Sequence, residues 1–233
     1  MRPLLSDATP TYTGVTFIEF GLDHVDRDYP ALAHLVGHGL MFALASNKGL
    51  LAQRNGHGHI RVYAAMRIPE KWETTAGFAA ENPHTARAWL LDQFVDWDQS
   101  LLALIQQAAD RFVVRPLFML PIGHRWKFHA GVTLLGDAAH LMSPFSGEGV
   151  NLAMLLDAAD LANAICTGST LEDAIQMYEA TMWPRAETAA RGAAEGVNNA
   201  IAPDAPAHTL AVLSQTMPDE ASFTRSARSI GEQ

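Results

Sequence analysis

The segment GVTLLGDAAHLMSPFSGEGVNLAMLLDAADLANAI, residues 131–165, holds the residues whose types and spacing could do chemistry. An apolar run ends in Gly136-Asp137, a loop containing Pro144, Gly147 and Gly149 follows, and an amphipathic helical pattern begins directly after it. A carboxylate at the C-terminal edge of a strand stands where ligands lie in open α/β sheets. An ionised aspartate offers only acceptors, so Asp137 suits hydroxyl or N–H groups such as those of a ribose or ribityl chain. Gly147 and Gly149 remove side chains where a flat ligand would approach the backbone. A helix starting there aims unpaired N–H groups, and roughly half a positive charge, at whatever lies above. The combination fits a cofactor that turns anionic along one edge, as reduced flavin does near N1 and O2. It equally describes an ordinary strand, turn and capped helix with Asp137 capping local N–H groups, and spacing by itself does not separate the two.

Other reactive residue types find plainer roles. His34 and His38 have the i,i+4 spacing of a helical metal pair, but Gly37 and Gly39 end the helix there and no carboxylate completes a site. His57 and His59 flank a turn and are expected in solvent, whereas His140 is expected to pack and hydrogen-bond. Ser146 is outside any G-x-S-x-G elbow, and a G-x-x-x-x-G-K phosphate loop is missing, which argues against hydrolase and nucleotide-triphosphatase chemistry. No metal ligand set is expected, and no side chain is assigned as a catalytic acid, base or nucleophile.

The elements that must position the loop follow from the hydrophobic pattern. TYTGVTFIEFGL (11–22), LMFALAS (40–46), GLLAQR (49–54) and HIRVYAAMRI (59–68) read as an antiparallel sheet, with NGHG at 55–58 carrying the dipeptide best suited to positive φ in a hairpin. ENPHTARAWLLDQF and DWDQSLLALIQQAADR then place apolar residues three and four apart, with Asn82 and either Asp96 or Asp98 as N-caps, so two helices cover the sheet. FVVRPLFML returns to strand spacing, and PIGHRWKFH is a connector. VTLL (132–135) reads as a strand covered on both faces. The helix from about Asn151 is expected to bury Leu152, Leu155, Leu156 and Ala159. A long helix then opens at Thr170 with Asp173 in a near capping box, and Pro184 is expected to kink it. The fold class is α/β in the α+β sense: an antiparallel or mixed sheet covered by helices, plus the C-terminal part of a Rossmann-like domain. The expected division is 1–120 for the sheet, 121–200 for the loop and helices, and a tail, 201–233, with no assigned role.

Composition narrows the partners. With 48% hydrophobic and 18% charged residues the chain should fold as a globule. A net charge of -9 without a basic stripe disfavours nucleic acid and acidic membrane surfaces. Cys166 is the only cysteine and is expected to be a buried, inert thiol in a reducing cytoplasm. No uninterrupted apolar run reaches the roughly 20 residues of a bilayer span, and MRPLLSDATP lacks a signal-peptide core, so a cytoplasmic protein is expected.

GDAAHLMSPFSGEGVN resembles, over those sixteen positions, the second flavin-binding motif of FAD-dependent monooxygenases of the aromatic-hydroxylase class. From RPLLSDATPTYTG through DWDQSLLALI to MYEATMWPRA the chain is similar to the tetracycline-inactivating flavin monooxygenases. The resemblance implies FAD as cofactor, NAD(P)H as co-substrate, O2 as oxidant and hydroxylation of an aromatic or polyketide-like small molecule. It implies a cofactor site at Gly136, Asp137, Pro144, Gly147, Glu148, Gly149, Val150, Asn151 and Leu152, with Asp137 on the ribityl and pyrophosphate region. Glu19, Arg61, Tyr63 and Phe145 are the expected substrate-pocket residues, the first three being as readily surface residues of a half-exposed sheet. Glu19, Gly39 and Arg61 stand where the tetracycline enzymes use an amide, an arginine and a histidine, so that drug specificity is not implied.

The family's first motif, G-x-G-x-x-G, has no counterpart: GHGHIR and GHGLMF lack the third glycine, and Arg2-Pro3 matches the tail of the motif that follows the dinucleotide-binding half. Three readings remain open, namely a gene fragment, one half of a split enzyme whose partner is a separate Rossmann half, or a start codon placed too late. A non-catalytic small-molecule-binding or interaction module is the alternative function.

Overall fold

The computed structural model describes residues 1–207, Thr209 and Ala211, apart from the Thr75 side chain. Strands β1 (Thr11–Leu22), β2 (Leu40–Ala45), β3 (Lys48–Asn55), β4 (His59–Arg67) and β5 (Val113–Met119) form an antiparallel sheet in the order β2-β3-β4-β1-β5. Because successive strand residues point to opposite faces, β1 serves two cores. Ile18, Phe20 and Leu22 pack under the covering helices, while Val15 and Phe17 belong to a second cluster on the other face. A register shift between Tyr12 and Thr16 against β5 lets β1 bend, and Gly14, at φ 84°, supplies the left-handed backbone within it.

Helices α1 (Pro30–Val36), α2 (Pro83–Gln93) and α3 (Gln99–Gln106) cover the first face. Asn82 caps α2 by accepting from the His84 and Thr85 N–H groups; of the two aspartates proposed for α3, Asp98 is the cap, accepting from Ser100 N–H. Leu22, Leu50, Ile60, Leu90 and Leu104 are fully enclosed here. At about 1.5–3 kcal/mol for each such side chain, this is the main core. The β3–β4 turn takes positive φ at His57 and Gly58 and not at Asn55-Gly56. Asn55 pairs with His59, so the loop holds three residues, one more than the tight turn that dipeptide serves.

The second half departs further from its pattern. Residues 132–135 form no strand: Val132 makes only an isolated bridge with His129, and Leu135 is 43% exposed. A strand exists through its ladder, and no neighbouring strand lies beside this segment among the described residues. Helix α4 (Gly149–Thr167) follows. Its expected buried stripe is absent, since Leu152 is buried but Leu155 is 67% and Leu156 39% exposed, and Ala159 is exposed as well. Leu152–Asp157 is π-helical, so the wider turn resets the phase and the next inward residue after Leu152 is Asp157, five positions on. Cys166 is exposed, contrary to the buried thiol expected, because the same face of α4 turns outward. By length and composition α4 could cross a bilayer. Its aspartates 157 and 160, however, are held by Arg185 of the next helix.

Helix α5 (Leu171–Ala200), capped by Thr170 accepting from Asp173 N–H, continues as one element across Pro184. It returns to the sheet, where Val197 and Ile201 pack against Val15, Phe17, Leu51 and Ala65. The start of the segment left without a role is therefore structural. Ile201 and Ala205 are buried, Ala202 O accepts from Asn47 N–H, and Ile201 O accepts from Arg67 Nε. Most of that segment, including 212–233, lies outside the described residues.

Candidate functional site

Gly136 sits at φ 58°, ψ -142°, backbone that only glycine adopts without strain, and a Cβ there would lie 3.1 Å from that of Ala153. Its N–H donates to Asp157 Oδ2 (3.0 Å), and His140 Nε2 donates to the same oxygen (2.6 Å). Arg185 donates to Asp157 Oδ1 (3.2 Å) and to Asp160 Oδ2 (2.7 Å). Burial works to raise the Asp157 pKa, but donation from His140, Gly136 and Arg185 outweighs it and holds the carboxyl below its usual range. This buried carboxylate ties the turn at Asp137–His140 to α4 and α5. His140 thus packs and hydrogen-bonds as expected, and its buried Nδ1 has no partner among the described residues. Arg2 adds a clamp from the N-terminus, donating to Ala138 O (2.8 Å) and Asp137 O (2.7 Å).

On that pedestal the Asp137 side chain is exposed and makes no hydrogen bond among the described residues. Opposite it in sequence runs a bare stretch of main chain. The turn Pro144–Ser146 ends at Gly147, φ 69°, where a Cβ would meet nothing within 4 Å, and at Gly149 the nearest atom to a Cβ would be Met142 Cγ at 3.9 Å. Leu152 N–H closes onto Glu148 O (2.8 Å), but the N–H groups of Gly149, Val150 and Asn151 have no partner among the described residues. They are free donors at the N-terminus of a 19-residue helix. Ser143 Oγ donates to Ala193 O (2.7 Å) and fixes the loop to α5. An acceptor-only carboxylate, open glycine backbone and unspent donors are the donor set an FAD ring and ribityl chain require, so the residues present fit that cofactor.

The loop meets the sheet through aromatic rings. Phe145 lies edge-on to Phe17 at 5.8 Å, and Phe17 lies 5.2 Å from Tyr63. Phe145 comes so close to α5 that a Cβ on Gly196 would be 3.0 Å from its own, which explains a glycine within that helix. Glu19 pairs with Tyr63 on β4 and Val113 on β5, and its carboxylate is shared by Arg115 and, at 3.6 Å, Arg61. All four substrate-pocket candidates therefore belong to one face of the sheet or to the loop bordering it. Beyond Glu19 that face opens into a cleft of about 460 Å³ lined by Asp23, His59, Arg61, Arg111 and Arg115. Arg111 and Arg115 escaped sequence reasoning because the β1–β5 register joins segments some ninety residues apart. His59 is paired with Asp23 (2.7 Å) and is not simply solvated. His34 and His38 do not share a helix, which ends before Gly37 at φ 67°. No group of three metal-ligating side chains occurs among the described residues.

Residues 122–193 match the model of the FAD binding domain family. The chain is similar to the monooxygenase asqM of Emericella nidulans, 31% identical over 77% of this chain and 52% of that protein. It is similar also to the monooxygenase penA of Penicillium thymicola, at 30% identity and the same shares of each chain. The chain thus spans about half the length of the curated relatives it matches. In fold it is similar to Klebsiella pneumoniae HpxO, solved with FAD and uric acid, with a TM-score of 0.74 and 21% identity over 92% of this chain and 52% of that one. The tetracycline destructase Tet(55) shares the fold at a TM-score of 0.59 and 18% identity, over 97% of this chain and 53% of that one. Loop, helices and sheet together make this chain similar to the FAD-dependent monooxygenases, with the FAD binding domain match lying on the Asp137 loop and the helices behind it.

Proposed function

We propose that this chain forms the flavin-covering and substrate-binding part of an FAD-dependent monooxygenase that uses NAD(P)H and O2 to hydroxylate an aromatic or polyketide-like molecule. The observation that carries the reading is an Asp137 carboxylate and a strip of N–H donors, without partners among the described residues, bordering an aromatic sheet face. Asp137 would accept from ribityl hydroxyls. Gly149, Val150 and Asn151 would donate to the N1–O2 edge of the ring, while Gly147 permits close approach and Pro144, Glu148 and Leu152 shape the turn. Flavin, when bound, would supply the redox chemistry, with NAD(P)H as reductant and O2 as oxidant and source of the transferred oxygen. The protein's part is to hold substrate against the partly exposed rings of Tyr63 and Phe145, which pack on the buried Phe17, to exclude water, and to present positive potential where charge develops. No side-chain acid or base is required.

A dinucleotide-binding element would hold the FAD pyrophosphate, and the outward face of α4, with Val150 and Met154 each 69% and Leu155 67% exposed, suits an apolar partner of that kind. A cytoplasmic location accords with a reaction that draws on NAD(P)H.

FAD titration followed by flavin fluorescence and visible absorption tests the reading. The wild-type chain should bind saturably. Asp137→Ala should bind about tenfold more weakly, the loss expected for a hydrogen bond to a charged group, with stability changed by less than about 0.5 kcal/mol because the side chain is exposed. No flavin binding, or equal binding by both proteins, would overturn it and favour a non-catalytic module.

A further inference from the structure

We infer that β2 is a self-pairing edge, through which two copies of this chain join their sheets across a two-fold axis at Phe42. The inference is independent of the flavin reading, since no residue of the Asp137 loop takes part in it. β2 (Leu40–Ala45) lies at one end of the strand order, so only one of its sides is paired among the described residues. Arg54 N–H donates to Gly39 O (2.9 Å), which fixes the phase of the β2–β3 ladder. Alternate residues of an antiparallel pair bond inward, so Met41, Ala43 and Ala45 bond to β3, while Leu40, Phe42 and Leu44 aim N–H and C=O at the open side. The strand holds no charged residue and no proline, and its register against β3 runs without a shift from Leu40 to Ala45. Leu40, 54% exposed, and Phe42, 49% exposed, stand beside that open edge. The other edge strand, β5, carries Arg115, Pro116 and a register shift against β1, all of which discourage strand addition.

The occupant is a second copy because the edge is its own complement. A two-fold axis normal to the sheet sets Phe42 opposite Phe42 of the second copy and Leu40 opposite Leu44. These are the residues whose main-chain groups face outward, so each pair exchanges both hydrogen bonds and no open donor of β2 is left over. Phe42 shares its face of the sheet with Leu51 and Tyr63, the residues in register with it on β3 and β4. The outer side chains of the two copies therefore meet as one apolar strip, and the Tyr63 faces of both copies look the same way. Charge favours the same occupant. Residues 38–46, which face their own counterparts in this register, include no Lys, Arg, Asp or Glu, so two chains of net charge -9 meet where no like charges oppose. A strand of this length makes a small interface, so the dimer dissociates on dilution.

Sedimentation velocity on the full chain, from about 1 µM to about 500 µM, should show a monomer–dimer equilibrium. Phe42→Lys places like charges across the axis and should weaken self-association at least about tenfold, with the far-ultraviolet dichroism unchanged because the ring is half exposed. Leu155→Lys, on the outward face of α4, should leave the dimer intact. The register is read separately by oxidative cross-linking with Cys166 replaced by Ser. Phe42→Cys should form a disulfide-linked dimer, its two Cα atoms lying about 5.5 Å apart. Leu40→Cys should not, because its own counterpart lies about 13 Å along the strand. A monomer throughout that range, a dimer that Leu155→Lys dissociates and Phe42→Lys spares, or equal cross-linking by the two cysteine variants would overturn the inference. Should Phe42→Lys fail to fold, the cysteine pair decides.

Discussion

The sheet half and the loop-and-helix half answer the same hydrophobic pattern in opposite ways. In the sheet, inward residues of β1, β3 and β4 meet α1, α2 and α3 and are enclosed. In α4, Leu155, which sequence periodicity places on the inward face, is 67% exposed, while a charged residue, Asp157, is buried. The first region stabilises itself. The second has a smaller core, Trp126, Leu134, Ala174, Tyr178 and Met182, joined to a polar network of Asp157 with His140, Gly136 and Arg185, and α4 turns Met154 and Leu155 outward.

Breaking that network should cost most. Asp157→Ala leaves His140 and Arg185 without their buried partner and should destabilise the chain by about 3–5 kcal/mol, read by urea unfolding. Because the folded Asp157 carboxyl titrates below its unfolded value, its contribution is present above the ordinary carboxylate range and lost as the pH falls through the lower folded value. The variant should therefore flatten that part of the acid-unfolding curve. Leu104→Ala in the sheet core should cost about 2–5 kcal/mol, whereas Leu155→Ala on α4 should change stability by less than about 0.5 kcal/mol; comparable losses at both positions would erase the contrast between the halves. Within the loop, Gly136→Ala should cost about 1–3 kcal/mol, since it combines a strained backbone with a 3.1 Å contact. Gly147→Ala meets open space and should cost about 1 kcal/mol from its left-handed backbone alone.

How far the chain could be read in advance follows the same division. Strands β1 to β4 and the caps Asn82 and Thr170 were legible because pairing and capping there depend on neighbours a few residues away. Gly147 and Gly149 were legible as bare main chain for a related reason, since the lack of a side chain is a property of the residue itself. The pairing of Glu19 with Arg115 depends on which strand comes to lie beside β1, which local pattern does not encode. Residues 132–135 carry a strand's composition without a strand's neighbour. The π turn of α4 moved Leu155 outward and Asp157 inward, and a search at 3.6-residue spacing could not register that shift. Of the site, the carboxylate and the open main chain were foreseen, whereas the pedestal beneath them and the arginines beyond them were not.

Amide hydrogen exchange, resolved to single residues and measured with and without FAD, tests most directly whether that open main chain is a flavin seat. FAD should slow exchange at Gly149, Val150 and Asn151, whose N–H groups lack partners among the described residues, and leave the enclosed strands β3 and β4 unchanged. Saturable FAD binding with no protection at those three amides would place the cofactor elsewhere and contradict the account.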